Sequence, residues 1–124
     1  MPLETKEKLL DFLTKEHSET WVWKDADERF VGYISIIDMP KENIIEILNL
    51  GVDPKLQGKG IGRQMMRFAE KNAAELGREK VILVTNVKNL QAVGFYKKSG
   101  YKIVKEVPNY YSDGETRYIF EKTL

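Results

Sequence analysis

The sequence has no cysteine, a single histidine at position 17, four prolines and no apolar run longer than a few residues. Without cysteine there is no disulfide, no thiol nucleophile and no thiolate metal site, which agrees with a reducing compartment. One His17 excludes a multi-histidine centre, and no metal is expected. The short apolar runs fall far below the roughly 20 residues of a membrane-spanning helix, and Met1 opens no signal-peptide pattern. The expectation is a cytoplasmic protein with no membrane partner. An excess of one charge is also lacking. With 20 Lys and Arg against 19 Asp and Glu, the net charge of +1 gives no strong nonspecific pull on nucleic acid, and no nucleic-acid-binding module is recognisable.

What is present suits one globular domain over residues 1–124. Apolar residues make up 42% and charged residues 31%, a composition that can bury a core without staples. From Leu3 to Lys15, Leu9, Leu10, Phe12 and Leu13 lie among Lys and Glu as in an amphipathic helix. Strands are predicted at Trp21–Trp23, Arg29–Asp38 and, as a nearly continuous apolar run, Ile44–Val52. A helix follows from Gly60 to Leu76, with Ile61, Met65, Phe68, Ala69 and Leu76 on one face. Then come a strand at Lys80–Thr85, a short helix at Leu90–Ser99, and strands at Tyr101–Val107 and Arg117–Lys122. This order predicts an α+β fold, a mixed sheet with helices on its faces.

The most informative segment is Val52-Asp53-Pro54-Lys55-Leu56-Gln57-Gly58-Lys59-Gly60-Ile61-Gly62-Arg63, where a central strand runs through glycines straight into a helix. Such a junction binds anions: free N–H groups at the helix start point outward, the helix dipole adds positive charge, and glycines let a phosphate reach the backbone. Gly58, Gly60 and Gly62 have neither Walker spacing nor the dinucleotide spacing.

The run Gln57-Gly58-Lys59-Gly60-Ile61-Gly62 resembles the Q-x-x-G-x-G loop that holds the acetyl-coenzyme A pyrophosphate in the GCN5-related N-acetyltransferases (GNAT family). Downstream, Asn89-Leu90-Gln91-Ala92-Val93-Gly94-Phe95-Tyr96-Lys97-Lys98-Ser99-Gly100-Tyr101 is similar to that family's N-x-x-A-x-x-F-Y-x-x-x-G-[FY] segment. The two occur in the family's order with a strand between them, and the likeness covers about residues 29 to 123. It implies a GNAT-like acyltransferase fold with a shortened N-terminus. Because that region often walls the acceptor side, the acceptor pocket would be open or completed by a second subunit of a homodimer.

The resemblance also implies site residues. Backbone groups of Leu50 and Val52, around Gly51, would hold the pantetheine arm beside a bulged strand, and a glycine inside a strand suits a bulge. N–H groups from Gln57 through Gly58, Lys59, Gly60, Ile61, Gly62 and Arg63 would hold the pyrophosphate, with Asn89 as both helix cap and coenzyme A contact. Tyr96 stands where the family has a tyrosine that protonates the leaving sulfur, and Phe95 reads as core. For the general base, Glu46 is the one charged residue within Ile44–Leu48; unbroken alternation would put it on the face of Leu48, Leu50 and Val52, whereas a bulge would change that.

Pro108–Glu115 resembles the hairpin of acetyltransferases that modify protein N-termini, the ribosomal-protein alanine acetyltransferases among them, so Tyr110 and Tyr111 would contact an acceptor or pack across strands. Those enzymes carry a catalytic glutamate five residues before the motif asparagine, where this chain has Val84. Trp21, Trp23 and Tyr33 are either an acceptor wall or core and hairpin packing. The implied activity is direct acetyl transfer from acetyl-coenzyme A to a primary amine in a ternary complex, the acceptor being a protein N-terminus. The alternatives are a small amine such as a polyamine or aminoglycoside, and a noncatalytic acyl-coenzyme A-binding sensor or subunit.

Overall fold

The structure, a computed structural model, describes the backbone of residues 5–9 and the whole of residues 18–124. The chain runs β1 (Thr5–Leu9), β2 (Ser18–Lys24), β3 (Phe30–Met39), β4 (Ile44–Val52), α1 (Ile61–Glu75), β5 (Lys80–Asn86), α2 (Leu90–Lys98), β6 (Lys102–Val107) and β7 (Arg117–Thr123). The seven strands form one mixed sheet in the order β1-β2-β3-β4-β5-β7-β6, in which only β4 and β5 are parallel. From β2 onward the elements fall within a few residues of those read from the sequence.

The helix expected over Leu3–Lys15 is overturned where it can be seen. Thr5–Leu9 is a strand paired antiparallel with β2, from Thr5 opposite Lys24 to Leu9 opposite Thr20. The sequence Thr-Lys-Glu-Lys-Leu has helix-forming residues and no apolar alternation, so pairing with the edge of β2 overrides local preference. Residues 10–15 of the expected helix, and His17, lie outside the described residues.

Strand register assigns the faces. Gly32, Ile34, Ile36 and Asp38 of β3 stand opposite Val52, Leu50, Ile47 and Ile45 of β4 and share one face; Tyr33, Ser35, Ile37 and Met39 stand opposite Gly51, Asn49, Glu46 and Ile44 on the other. Both helices cover the first face. Ile61, Met65, Met66, Ala69 and Ala73 of α1 are buried there, whereas Leu76, expected on that stripe, is exposed just past the helix end. Phe68 meets Trp21 and Trp23 edge-on at 5.2 and 5.1 Å, which makes the two tryptophans packing residues on the helix side. On α2, Tyr96 packs on the fully buried Phe120 of β7, with ring centroids 5.6 Å apart. A Leu-, Ile- or Phe-sized side chain buried this completely contributes about 1.5–3 kcal/mol.

The site depends on one irregularity in β4. Ser35 pairs with Asn49 but Ile36 pairs with Ile47, so Leu48 is an extra residue that advances the alternation by one. The parallel ladder with β5 also stops at Ile47 opposite Leu83, while β5 continues to Asn86 along β7. Beyond the bulge β4 leaves β5, and a V-shaped gap opens in the middle of the sheet.

Candidate active site

The gap offers backbone groups to a ligand. Asp53 donates its N–H to Val31 O on β3 (2.8 Å), and alternation then turns the polar groups of Leu50 and Val52 away from β3, toward the gap. Gly51 is not the bulge residue, since the extra residue is Leu48, three positions earlier. Its glycine is explained by Tyr33, whose ring a Cβ at position 51 would overlap. Over the gap, the Gln57 side chain donates to the Val52 carbonyl at 3.3 Å, so this residue closes the strand end with its amide.

The loop from Asp53 to α1 is shaped for an anion. Asp53 caps a single 3-10 turn over Pro54–Leu56 by accepting from Lys55 N at 2.9 Å. Gly58 and Gly60 both have φ of +81°, a left-handed conformation that costs other residues about 1–2 kcal/mol, and a Cβ at either would meet nothing within 4 Å. Gly60 occupies the N-cap position without any side-chain cap, and the first turn of this 15-residue helix contains no acidic residue. The N–H groups of Ile61, Gly62 and Arg63 thus have no partner among the described residues. Gly62 has another reason to be glycine: a Cβ there would come within 3.1 Å of the Phe95 ring on α2.

These elements enclose a groove of about 580 Å³. Its walls include Leu50, Gly51 and Val52 from β4, Gln57, Gly58, Gly60, Ile61, Gly62 and Arg63 from the loop and helix start, and Asn89 and Tyr96 from the α2 side. Lys59, expected among the pyrophosphate-holding residues, is not part of the wall. Leu56, Gln91, Ala92, Phe95 and Lys98 line it without having been singled out. Of these, Phe95 was read as core; its spacing next to Tyr96 on a short helix gives no sign of which side each ring takes.

Asn89 Oδ1 accepts from Ala92 N at 3.2 Å and so caps α2. The Tyr96 ring is wedged among Phe95, Tyr101 and Phe120 at 5.4, 6.5 and 5.6 Å. Its hydroxyl makes no hydrogen bond among the described residues, and burial pushes its pKa above the ordinary value of 10. The phenol is therefore held as a protonated donor with no internal acceptor, in the wall of the groove.

Across the sheet lie the other residues that the sequence singles out. The bulge overturns the unbroken-alternation expectation for Glu46: the carboxylate shares its face with Asn49, Gly51 and Tyr33, while Leu50 and Val52 turn to the helix side. It sits level with Ile82, one residue before the β4–β5 ladder ends, at the apex of the gap. Tyr33 belongs to this face, away from Trp21 and Trp23. The loop between β6 and β7 brings an aromatic pair close. Tyr110 and Tyr111 meet edge-to-face at 4.6 Å, and Arg117 holds its guanidinium 5.1 Å from the Tyr111 ring while binding both oxygens of Asp113 at 3.3 and 2.8 Å. The Tyr111 pKa is pushed up, first by burial and then by the neighbouring Tyr110 and Glu46, so these groups share one electrostatic environment.

Comparison with known proteins agrees with this geometry. Residues 2–101 match the acetyltransferase (GNAT) family, so the likeness extends well upstream of residue 29. An N-alpha-acetyltransferase of Sulfurisphaera tokodaii is 29% identical over 121 residues, covering 89% of this chain and 72% of that protein. The chain spans only 37% to 62% of four other curated relatives. Among solved structures, Ard1 from Thermoplasma volcanium superposes with a TM-score of 0.76 at 28% identity, over 85% of this chain and 70% of that one. A Bacillus subtilis acetyltransferase in complex with CoA superposes at 0.77, over 87% of this chain and 78% of its own, and at 21% identity supports the fold alone. A central sheet split between β4 and β5, a glycine loop feeding an uncapped helix and a family match over most of the chain lead to one assignment: the chain belongs to the GNAT acetyltransferase family, as an acetyl-coenzyme A-dependent N-acetyltransferase.

Proposed function

We propose that this acetyltransferase modifies the α-amino group of a protein N-terminus, by direct attack in a ternary complex. The observation that carries the proposal is the division of the site by the sheet: a groove for the donor on the side of α1 and α2, and Glu46 with Tyr110 and Tyr111 on the opposite side, meeting at the gap. The similarity to an archaeal N-alpha-acetyltransferase over 89% of this chain supports the choice of acceptor.

Acetyl-coenzyme A supplies the activated acetyl group. In this reading, Leu50 and Val52 hold its arm by backbone hydrogen bonds, as an added strand would be held. The Gln57 amide yields the Val52 carbonyl to the arm. The N–H groups of Ile61, Gly62 and Arg63, with the Gly58–Gly60 backbone, take the pyrophosphate. Asn89 fixes the start of α2 and thereby the placement of Tyr96. Glu46 takes the proton that the amine loses as its nitrogen bonds to the acetyl carbon, and Tyr96 gives a proton to the departing sulfur. N-terminal acetyltransferases with a glutamate at the position of Val84 carry it on β5; Val84 and Glu46 share a face on adjacent strands, so the carboxylate reaches the same side from β4. Tyr110 and Tyr111 form the aromatic edge against which a peptide lies.

The test measures thiol release from acetyl-coenzyme A with three acceptors: peptides with a free N-terminus, the same peptides blocked at the N-terminus but containing lysine, and spermidine. Turnover confined to the free N-termini is expected. Faster turnover of a blocked peptide or of spermidine would overturn the assignment of the acceptor, and absence of acetyl-coenzyme A binding by calorimetry would overturn the whole site.

A further inference from the structure

β4 is the middle strand of the sheet, and all of its residues but one are buried or half-buried. The exception is Asn49, an exposed residue of a type depleted from strands because it packs poorly on a pleated surface. Its side-chain amide makes no hydrogen bond among the described residues. The Ser35 hydroxyl, directly across the ladder, is already engaged with Thr20 Oγ1 at 2.8 Å. On the other side the β4–β5 ladder has ended at Ile47 opposite Leu83, so Asn49 stands at the rim of the open gap. β5 carries Val84 on this face, an apolar side chain that neither donates nor accepts.

Glu46 lies opposite Ile37 and Asn49 opposite Ser35, so the bulge leaves both side chains on one face, rooted two residues of β3 apart, or about 7 Å. The two differ in hydrogen-bonding sense: an ionised carboxylate only accepts, whereas the Asn49 Nδ2 donates. The first residue of a peptide offers the complementary pattern, a donating amine and, across two carbons, an accepting carbonyl oxygen about 3 Å away. With a hydrogen bond of about 3 Å at each end, side chains spaced like Glu46 and Asn49 can engage both atoms at once. The ε-amine of lysine and the amines of a polyamine have only methylenes at that distance. We infer that Asn49 donates to the carbonyl of the acceptor's first residue, as a specificity-determining residue that separates α-amines from side-chain amines and polyamines. The inference rests on the acceptor reading above and deepens it: Glu46 serves any amine, and Asn49 favours one with a carbonyl beside it.

Steady-state thiol release by the parent and by Asn49→Ala tests this with two acceptors, a glycyl peptide and the same peptide headed by 6-aminohexanoic acid, whose primary amine lies five methylenes from the carbonyl. Because Asn49 is exposed, and alanine and asparagine are both poor strand formers, thermal melting should be unchanged. The variant should lose about three- to tenfold in kcat/KM for the glycyl peptide, the worth of one hydrogen bond. The loss should appear chiefly in KM, since the bond forms with the bound acceptor as well as in the transition state. Turnover of the aminohexanoyl peptide and affinity for coenzyme A should stay as in the parent. A kcat/KM for the glycyl peptide within about twofold of the parent would overturn the role of Asn49 and leave the acceptor reading intact. An equal fall for both peptides, or a matching fall in coenzyme A affinity, would do the same. A parent that turns over the aminohexanoyl peptide faster than the glycyl peptide, or turns over neither, would overturn the acceptor reading and the role of Asn49 together.

Discussion

Removing the Tyr96 hydroxyl separates chemistry from structure more cleanly than any other change in this molecule. In Tyr96→Phe the ring keeps its neighbours Phe95, Tyr101 and Phe120, and the lost oxygen has no hydrogen-bond partner among the described residues, so stability should stay within about 0.5 kcal/mol of the parent. The arm and pyrophosphate contacts proposed for the donor come from backbone groups of β4 and α1, so coenzyme A affinity should hardly move. What disappears is the proton for the departing sulfur, and loss of a positioned general acid lowers turnover by about 10²–10⁴-fold. The expected result is therefore a fall in kcat of at least about a hundredfold with an unchanged coenzyme A dissociation constant and an unchanged Tm. Because burial raises the Tyr96 pKa above 10, the parent enzyme should show no loss of rate from this group below about pH 10. The assay is steady-state thiol release across pH, with calorimetry on the same preparations. A kcat within about threefold of the parent would refute the role, since that is far less than loss of a general acid should cost. A comparable fall in coenzyme A affinity would show that the hydroxyl holds the donor and does not donate to it.

Two further outcomes follow from the geometry. Glu46→Gln should lower kcat by about a hundredfold or more near neutral pH and remove the acidic limb of the kcat/KM profile, and a profile identical in shape to the parent would discard Glu46 as base. Tyr101→Phe should destabilise the fold by about 1.5–3 kcal/mol, the worth of a hydrogen bond to a charged group, because the hydroxyl donates to Glu70 at 2.9 Å. Burial first, and then Glu70, raise the Tyr101 pKa, so an unfolded tyrosine ionises near pH 10 while the folded one stays protonated. This contribution to stability is thus complete below about pH 10 and is lost as the pH rises further. Denaturant midpoints at about pH 9 and pH 11 should fall less in the variant than in the parent; an equal fall would contradict the assignment.

The glycine loop, the Asn89–Tyr101 segment and most element boundaries were legible in the sequence because each is written locally, in turn glycines, a capping asparagine and apolar periodicity. What escaped was decided by distant partners. Thr5–Leu9 has the composition of a helix and becomes a strand because β2 offers it an edge. The bulge at Leu48 carries no glycine or proline to announce it, and its consequence, turning Glu46 to the face opposite α1 and α2, depends on where β3 chooses its partners. Gly51 was legible as special but for the wrong reason: the ring that requires it, Tyr33, is eighteen residues earlier in the chain and directly across the ladder.

The split sheet gives the two sides of the site different freedom to change. Contacts proposed for the donor come chiefly from main-chain groups, which almost any side chain supplies equally well, so mutation erodes that grip slowly. The opposite face presents the side chains of Glu46, Tyr110, Tyr111 and Arg117. With the acceptor placed there as proposed, a single codon change alters the size, charge or aromatic edge met by an incoming amine while the main-chain groups proposed to hold the donor stay in place. A lineage can therefore exchange acceptors while keeping its acetyl source, and the extra residue at Leu48, by fixing which strand residues look which way, keeps those two histories apart.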